Sequence, residues 1–291
     1  MSSPPDQPFN PYSVPQVKQS TYVGGSGNQA NAMLLESARR GFAMVFYGWL
    51  TLIIGFILMT LVIMGLAIVA GASGNFDEND PTLGMGILPT ILFSLVMIVG
   101  QGLIIRGHFL CRENAERFAS EGTISKTIVS DIIVMACWAI SLCIGLYQEL
   151  VQPVQALVIG NGILNFILLV AWTVGFFCFL SYTKKAADFI GSIKQVNRAK
   201  TQTTLWAVLM VLYFVLILGL VVVLLSTGSL LSGDELAQNA DQGIALFMIT
   251  GFGCGMVLWG IGALVATIMF MILMNSMSTK IQEVQVHGAT S

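Results

Sequence analysis

An all-α membrane fold of six helical spans is what this sequence predicts, and three observations carry that reading. Of the 291 residues 55% are hydrophobic and 10% charged, with a mean hydropathy of +0.81, a balance that leaves a water-soluble domain too little polar surface to cover itself. Six apolar stretches each approach the roughly 20 residues a helix needs to cross about 30 Å of hydrocarbon. The basic residues, finally, fall in alternate connections between those stretches and in no others.

The stretches run from Val45 to Ala70, Met85 to Ile105, Thr127 to Tyr147, Val154 to Tyr182, Thr204 to Ser226 and Ile244 to Met274. Helix is the required form, because an isolated strand would leave backbone groups unpaired in lipid and these runs are too long and continuous for barrel strands. Lys18, Arg39 and Arg40 precede the first span; Arg106, Arg112, Arg117 and Lys126 fall in the second connection. Lys184, Lys185, Lys194, Arg198 and Lys200 fall in the fourth, and Lys280 follows the last span. The first, third and fifth connections hold Asp77, Glu78, Asp80, Glu149, Asp234, Glu235 and Asp241 with no Lys or Arg. Positive residues stay on the cytoplasmic side, so both termini are expected there, and one missed span would scramble the alternation. The expected organisation is a disordered cytoplasmic tail over residues 1–41, a six-helix transmembrane bundle over 42–278 and a short cytoplasmic tail over 279–291.

The tail opens MSSPPDQPFNPYSVPQ, with five of the eight prolines, and continues through Gly24-Gly25-Ser26-Gly27-Asn28. Such composition cannot bury enough apolar surface to offset ordering. Pro5, Pro8 and Pro11 make two overlapping P-x-x-P spacings, a pattern that docks into aromatic-lined grooves of partner proteins when it is not simply solvated. Leu34, Leu35, Ala38 and Phe42 recur at helical spacing and predict a short interfacial helix leading into the membrane. The segment Phe9 to Pro15, FNPYSVP, followed by a polytopic body, resembles uncharacterised bacterial multi-pass membrane proteins with Asn-Pro-Tyr-x-x-Pro tails. That resemblance implies a bacterial cytoplasmic membrane and brings no activity or site residues. Arg39-Arg40 and Ala70-Gly71-Ala72 look like parts of an export signal, but the apolar run between them is too long for a signal peptide, and no cleavage is expected.

The basic connections are more than spacers. Ala186, Phe189, Ile190, Ile193 and Val196 share a helical face that Lys184, Lys185, Lys194 and Arg198 largely avoid, which describes an interfacial helix or a continuation of the fourth span, against a solvated basic loop. Glu113 and Arg117, at i and i+4, support a short helix in the second connection. Cys111 is placed in that connection and Cys137, Cys143, Cys178 and Cys254 in spans, as small packing residues rather than disulfides. His108 and His287 are both expected on the cytoplasmic side, far apart in sequence, and neither metal nor cofactor is expected. The acidic net charge, −2, points away from a nucleic-acid partner.

Functional residues inside membranes are usually ionisable groups at mid-depth, and no predicted span has one near its centre. Asp131, about one turn into the third span, reads as a carboxylate favoured by the positive end of the helix dipole. The uncharged candidates are Gln101 in the second span and Asn161 and Asn165 in the fourth, whose i, i+4 spacing puts both amides on one face. They serve either as interhelical hydrogen-bonding groups or as the lining of a solute path. In the sixth span Gly251 and Gly255 form a G-x-x-x-G spacing that predicts close helix packing. Trp49, Trp138, Trp172, Trp206 and Trp259 read mostly as interface anchors.

Enzyme readings fail on their residues. Gly71-Ala72-Ser73-Gly74 is similar to the Gly-x-Ser-Gly of rhomboid-like proteases, but Ser73 falls at a span end and no predicted span supplies a histidine base. A phosphate-binding loop, an H-E-x-x-H helix, paired intramembrane carboxylates and the paired Asn-Pro-Ala loops of water channels do not occur. No catalytic residue is therefore assigned. Two functions remain expected: a non-catalytic scaffold or subunit of a membrane complex, with lipid around it and a protein partner on its tail or inner loops, or a passive channel for a small neutral solute.

Overall fold

The computed structural model describes residues 27–73, 83–150, 155–230 and 238–289. They form six helices, α1 Gly27–Ser73, α2 Leu83–Arg112, α3 Glu121–Leu150, α4 Gln155–Phe189, α5 Ile193–Leu230 and α6 Gln238–Ala289. Each contains a segment long and apolar enough to cross a membrane: Leu35–Val62, Leu92–Arg112, Glu121–Tyr147, Gly160–Phe189, Ile193–Gly219 and Gly255–Val286. The proline-rich start of the chain, with its P-x-x-P spacings, lies outside the described residues, as do residues 74–82, 151–154 and 231–237 of the acidic connections.

Several boundaries differ from the hydropathy reading, all for one reason. Charged residues on one face of a helix end a hydropathy window before they end the helix, whose length is set by burial of the other face. Residues 27–41 are therefore the start of α1 rather than tail: Leu35, Ala38, Phe42 and Val45 are all buried. Glu36 pairs with Arg39 and Arg40 on the same stretch. At the other end, α6 continues to Ala289 with Met277 and Ile281 fully buried, so 279–289 is helix and not a loose tail. The basic segments likewise continue the helices. α2 runs through Arg112, α3 starts at Glu121, and only Ile190 to Ser192 separate α4 from α5. Glu113 and Arg117 stand in turns between α2 and α3 and form no short helix.

Both of these short connections end a helix in the same way. In the α4–α5 turn the Ser192 N–H donates to the Ala187 carbonyl and the Gly191 N–H to the Asp188 carbonyl, with Gly191 at a φ of 69°. This 6→1 and 5→2 pair is the Schellman stop, which calls for a left-handed residue. The α2–α3 turn repeats it with Ser120 on Ala115 and Ala119 on Glu116, but there the left-handed residue is Ala119, at 48°. The Lys185 ammonium donates to the Ala119 carbonyl at 2.7 Å, tying the end of α4 to this turn.

Helices adjacent in sequence pack against one another throughout, and α6 packs against α1, so the contacts close a ring. The Asn114 amide donates to the Ser37 hydroxyl at 2.7 Å and the Gln195 amide to the Ser276 hydroxyl at 2.5 Å. These bonds put the start of α1, both short turns and the last third of α6 at one end. Every described Lys and Arg belongs to that end.

The closest approach is between α1 and α2, and glycines seven residues apart make it. A Cβ on Gly41 would lie 2.8 Å from the Gly107 carbonyl oxygen, one on Gly48 2.7 Å from that of Gly100, and one on Gly107 2.7 Å from that of Gly41. Backbone carbonyls cannot swing aside as side chains do, so the stripe requires glycine. In lipid, where apolar surface gains nothing by leaving its solvent, such close packing is what holds helices together. A Cβ on Gly255 would lie 2.8 Å from Leu216 Cδ2 of α5, the movable tip of a side chain. Gly251 has its surroundings outside the described residues. We expect Gly107→Val to lower stability by about 1–3 kcal/mol or more, read as a lower melting temperature of the detergent-solubilised protein. Gly102→Ala, at a position with open space where its Cβ would stand, should leave it unchanged.

Candidate functional site

The glycine contacts also aim the site. Successive helical residues turn by about 100°, so the residue after each contact glycine points sideways from the interface. Those residues are Phe42 and Trp49 on α1, and Gln101 and His108 on α2. On α4, Gly175 accepts the close approach of Ser130 from α3, whose Cβ would lie 2.8 Å from an added one, and Phe176 follows it. Trp49, Gln101, His108 and Phe176 all line one small cavity among the packed helices, of about 20 Å³. A space of roughly 10–15 Å³ admits one water molecule.

Its polar centre is a hydrogen-bonded couple. His108 Nδ1 and Asp131 Oδ2 are 2.5 Å apart, the two residues being 4% and 8% exposed. With Asp131 as carboxylate, Nδ1–H donates, and Nε2 is left as a lone pair on a neutral ring or as a second donor on a charged one. Nε2 is buried without a partner in the protein. The imidazole lies against Phe179 of α4 at 4.2 Å between ring centres, so the couple joins α2, α3 and α4. Gln101, two turns along α2 from His108, lines the same cavity and is buried with its amide free of other described residues.

Aromatic rings close the space around this couple. Trp49 meets Trp172, Phe176 and Phe270 edge-on at 5.7 to 6.2 Å, while Trp172 and Phe176 stack at 5.3 Å. Trp206 packs edge-on against Phe176 at 4.9 Å. Trp206 is buried, Trp49 and Trp172 are half-buried against the core, and Trp259 points into a helix contact, its Nε1–H donating to the Leu209 carbonyl at 2.8 Å. Beside them Tyr182 is fully buried, its hydroxyl donating to the Cys111 carbonyl at 2.8 Å.

The predicted candidates separate here. Gln101 and Asp131 come together. Asp131 stands in the third turn of α3, not at its start, because α3 begins at Glu121; its partner is a histidine and not a helix end. Asn165 is exposed on the outside of the packed helices, and Asn161 is half-buried with Oδ1 unmatched, so the fourth-span amides do not reach Gln101. His108 was placed in a connection because Arg106 ends the apolar count; in fact it lies on α2 inside the span Leu92–Arg112. The seven-residue step from Gln101 to His108 puts both on one face and was the available signal. Among the described residues no third His, Cys, Asp or Glu joins the couple to make a metal site.

Fold and site together define a multi-pass, all-helical membrane protein with a polar couple buried near its basic end. Comparison of the chain with protein-family models, with curated proteins and with solved structures returns no match.

Removing one member of the couple leaves the other buried and unmatched, which costs about 1–3 kcal/mol. Asp131→Leu and His108→Leu should therefore each lower the melting temperature in detergent. The double variant should lose less than the two losses added, since it buries no orphan; full additivity would show that the two side chains are not coupled.

Proposed function

We propose that this protein is a non-catalytic scaffold or subunit of a membrane complex, held as a six-helix bundle with both termini on the cytoplasmic side of a bacterial membrane. The observation that carries this reading is the filling of the centre. Trp49, Trp172, Phe176 and Phe270 leave a cavity of about 20 Å³ around the polar couple, far below the roughly 300 Å³ at which small-molecule pockets begin. Its face toward lipid is a broad apolar surface, including Phe56, Leu61, Ile163, Phe166, Val211 and Leu258, suited to lipid or to neighbouring spans. The sidedness rests on the gathering of basic residues at one end, and the bacterial membrane on the resemblance of the tail.

A facilitator of a small neutral solute, the second expectation, retains only Gln101 of its three amides at the centre. Two measurements separate the readings. Proteoliposomes challenged with glycerol or urea should relax at the rate of empty vesicles; relaxation ten times faster or more would replace the scaffold by a facilitator. In mild detergent the native protein should migrate well above its 31.3 kDa chain mass with a partner at fixed stoichiometry, and deletion of residues 1–26 should release that partner. For sidedness, a cysteine-free protein carrying Lys184→Cys should react with an impermeant maleimide only after the cells are permeabilised.

A further inference from the structure

At the basic end, away from the His108–Asp131 couple, a cavity of about 530 Å³ opens between α5 and α6. α5 lines it with Lys194, Arg198 and Gln202, and α6 with Met269 and Ile272. Two of its properties belong to a ligand site rather than to a gap. Its cations are uncommitted: Lys194 is exposed, and Arg198 has a 3.4 Å bond to the Ser276 hydroxyl, neither meeting a carboxylate among the described residues. Gln202 beside them is 2% exposed, with both amide atoms closed off from the cavity.

The remaining wall says what kind of partner. Met269 and Ile272 are exposed and continue along α6 into Val265 and Ile268, with Val208 and Val211 exposed on α5. An apolar track thus leads from the cationic mouth along the spans, which a soluble anion would not use and an acyl chain would. Basic pockets between helices at the cytoplasmic face are where anionic headgroups bind.

We propose that the α5–α6 cavity binds the headgroup of an anionic phospholipid, Lys194 and Arg198 holding the phosphate, and Met269 and Ile272 the start of an acyl chain. A glycerol headgroup leaves the phosphate charge to these two cations, whereas a choline headgroup neutralises it with a cation of its own. The ligand chemistry is therefore a phosphodiester of net negative charge with an acyl anchor. Nothing in it depends on the scaffold reading.

The test uses the full-length protein, delipidated in an uncharged detergent and titrated with phosphatidylglycerol, phosphatidylcholine or glycerol 3-phosphate. Native mass spectrometry and melting temperature are the readouts. Phosphatidylglycerol should remain bound and raise the melting temperature, with phosphatidylcholine bound at least tenfold more weakly. Arg198→Gln and Lys194→Gln should each weaken phosphatidylglycerol binding about fivefold, the worth of one basic residue at an anionic surface. Lys184→Gln, an exposed basic position on α4 outside the cavity, should not. Should Arg198→Gln fail to fold, the exposed Lys194 still reads the site. Equal retention of the two lipids, or wild-type binding by both variants, overturns the proposal. Glycerol 3-phosphate that stabilises the protein as well as the lipid does would overturn it in favour of a soluble phosphate site.

Discussion

The contact of one backbone with another along α1 and α2 is the constraint on which the rest of the structure depends. With Gly41 and Gly48 against Gly107 and Gly100, the two helices have no freedom to rotate about their axes without driving a side chain into a carbonyl. That lock fixes where the next residue on each helix points. Phe42, Trp49, Gln101 and His108 each follow a contact glycine, and all four are turned toward the centre by the helical step alone. The same device recurs on α4, where Gly175 meets Ser130 and Phe176 follows. Packing and site are thus one arrangement, and neither can be changed without the other.

A hydrogen-bonded couple in such a place needs its surroundings. His108 and Asp131 are excluded from water by Phe179 and the ring cluster behind it, and inside a low-dielectric medium an unpaired member would be costly. Their bond at 2.5 Å answers one half of the imidazole and leaves Nε2. The couple stands close to the basic end, one turn from Arg112, and not at mid-depth where coupled transport usually keeps its ionisable groups. It clamps α2 to α3, whose own connection is a run of turns stopped by Ala119 in the left-handed conformation.

Much of the fold was legible in the sequence because it rests on local quantities: apolar length, continuity and the side on which charge falls. All six predicted spans correspond to helices in the right order. Helix ends were not legible, since α1 and α6 extend on the strength of buried residues such as Ala38 and Ile281, and burial depends on neighbours distant in sequence. The glycine stripe was present in the letters at a spacing of seven but was outweighed by the more familiar spacing of four at Gly251 and Gly255. Of the site, the sequence shows Gln101 as an amide within an apolar span and Asp131 as a carboxylate near a span end, but nothing in it names the partner of Asp131. Hydropathy placed His108 beyond the membrane, and no rule of spacing within one helix can announce a bond across 23 residues and a turn. The amide pair on α4 shows the converse: Asn161 and Asn165 share a helical spacing, but Asn165 is exposed while Asn161 is half-buried with its oxygen enclosed.

The ring of contacts also sets an order on how the molecule is put together. Each helix finds its first neighbour as soon as the chain emerges, because consecutive helices touch, but α1 also leans on α6, which is made after the other five. Until then the Trp49 indole lacks Phe270, its neighbour at 5.7 Å, and the first hairpin waits in the bilayer with one flank unpaired. An open five-helix intermediate therefore precedes α6, and the ring closes only when that helix is in place.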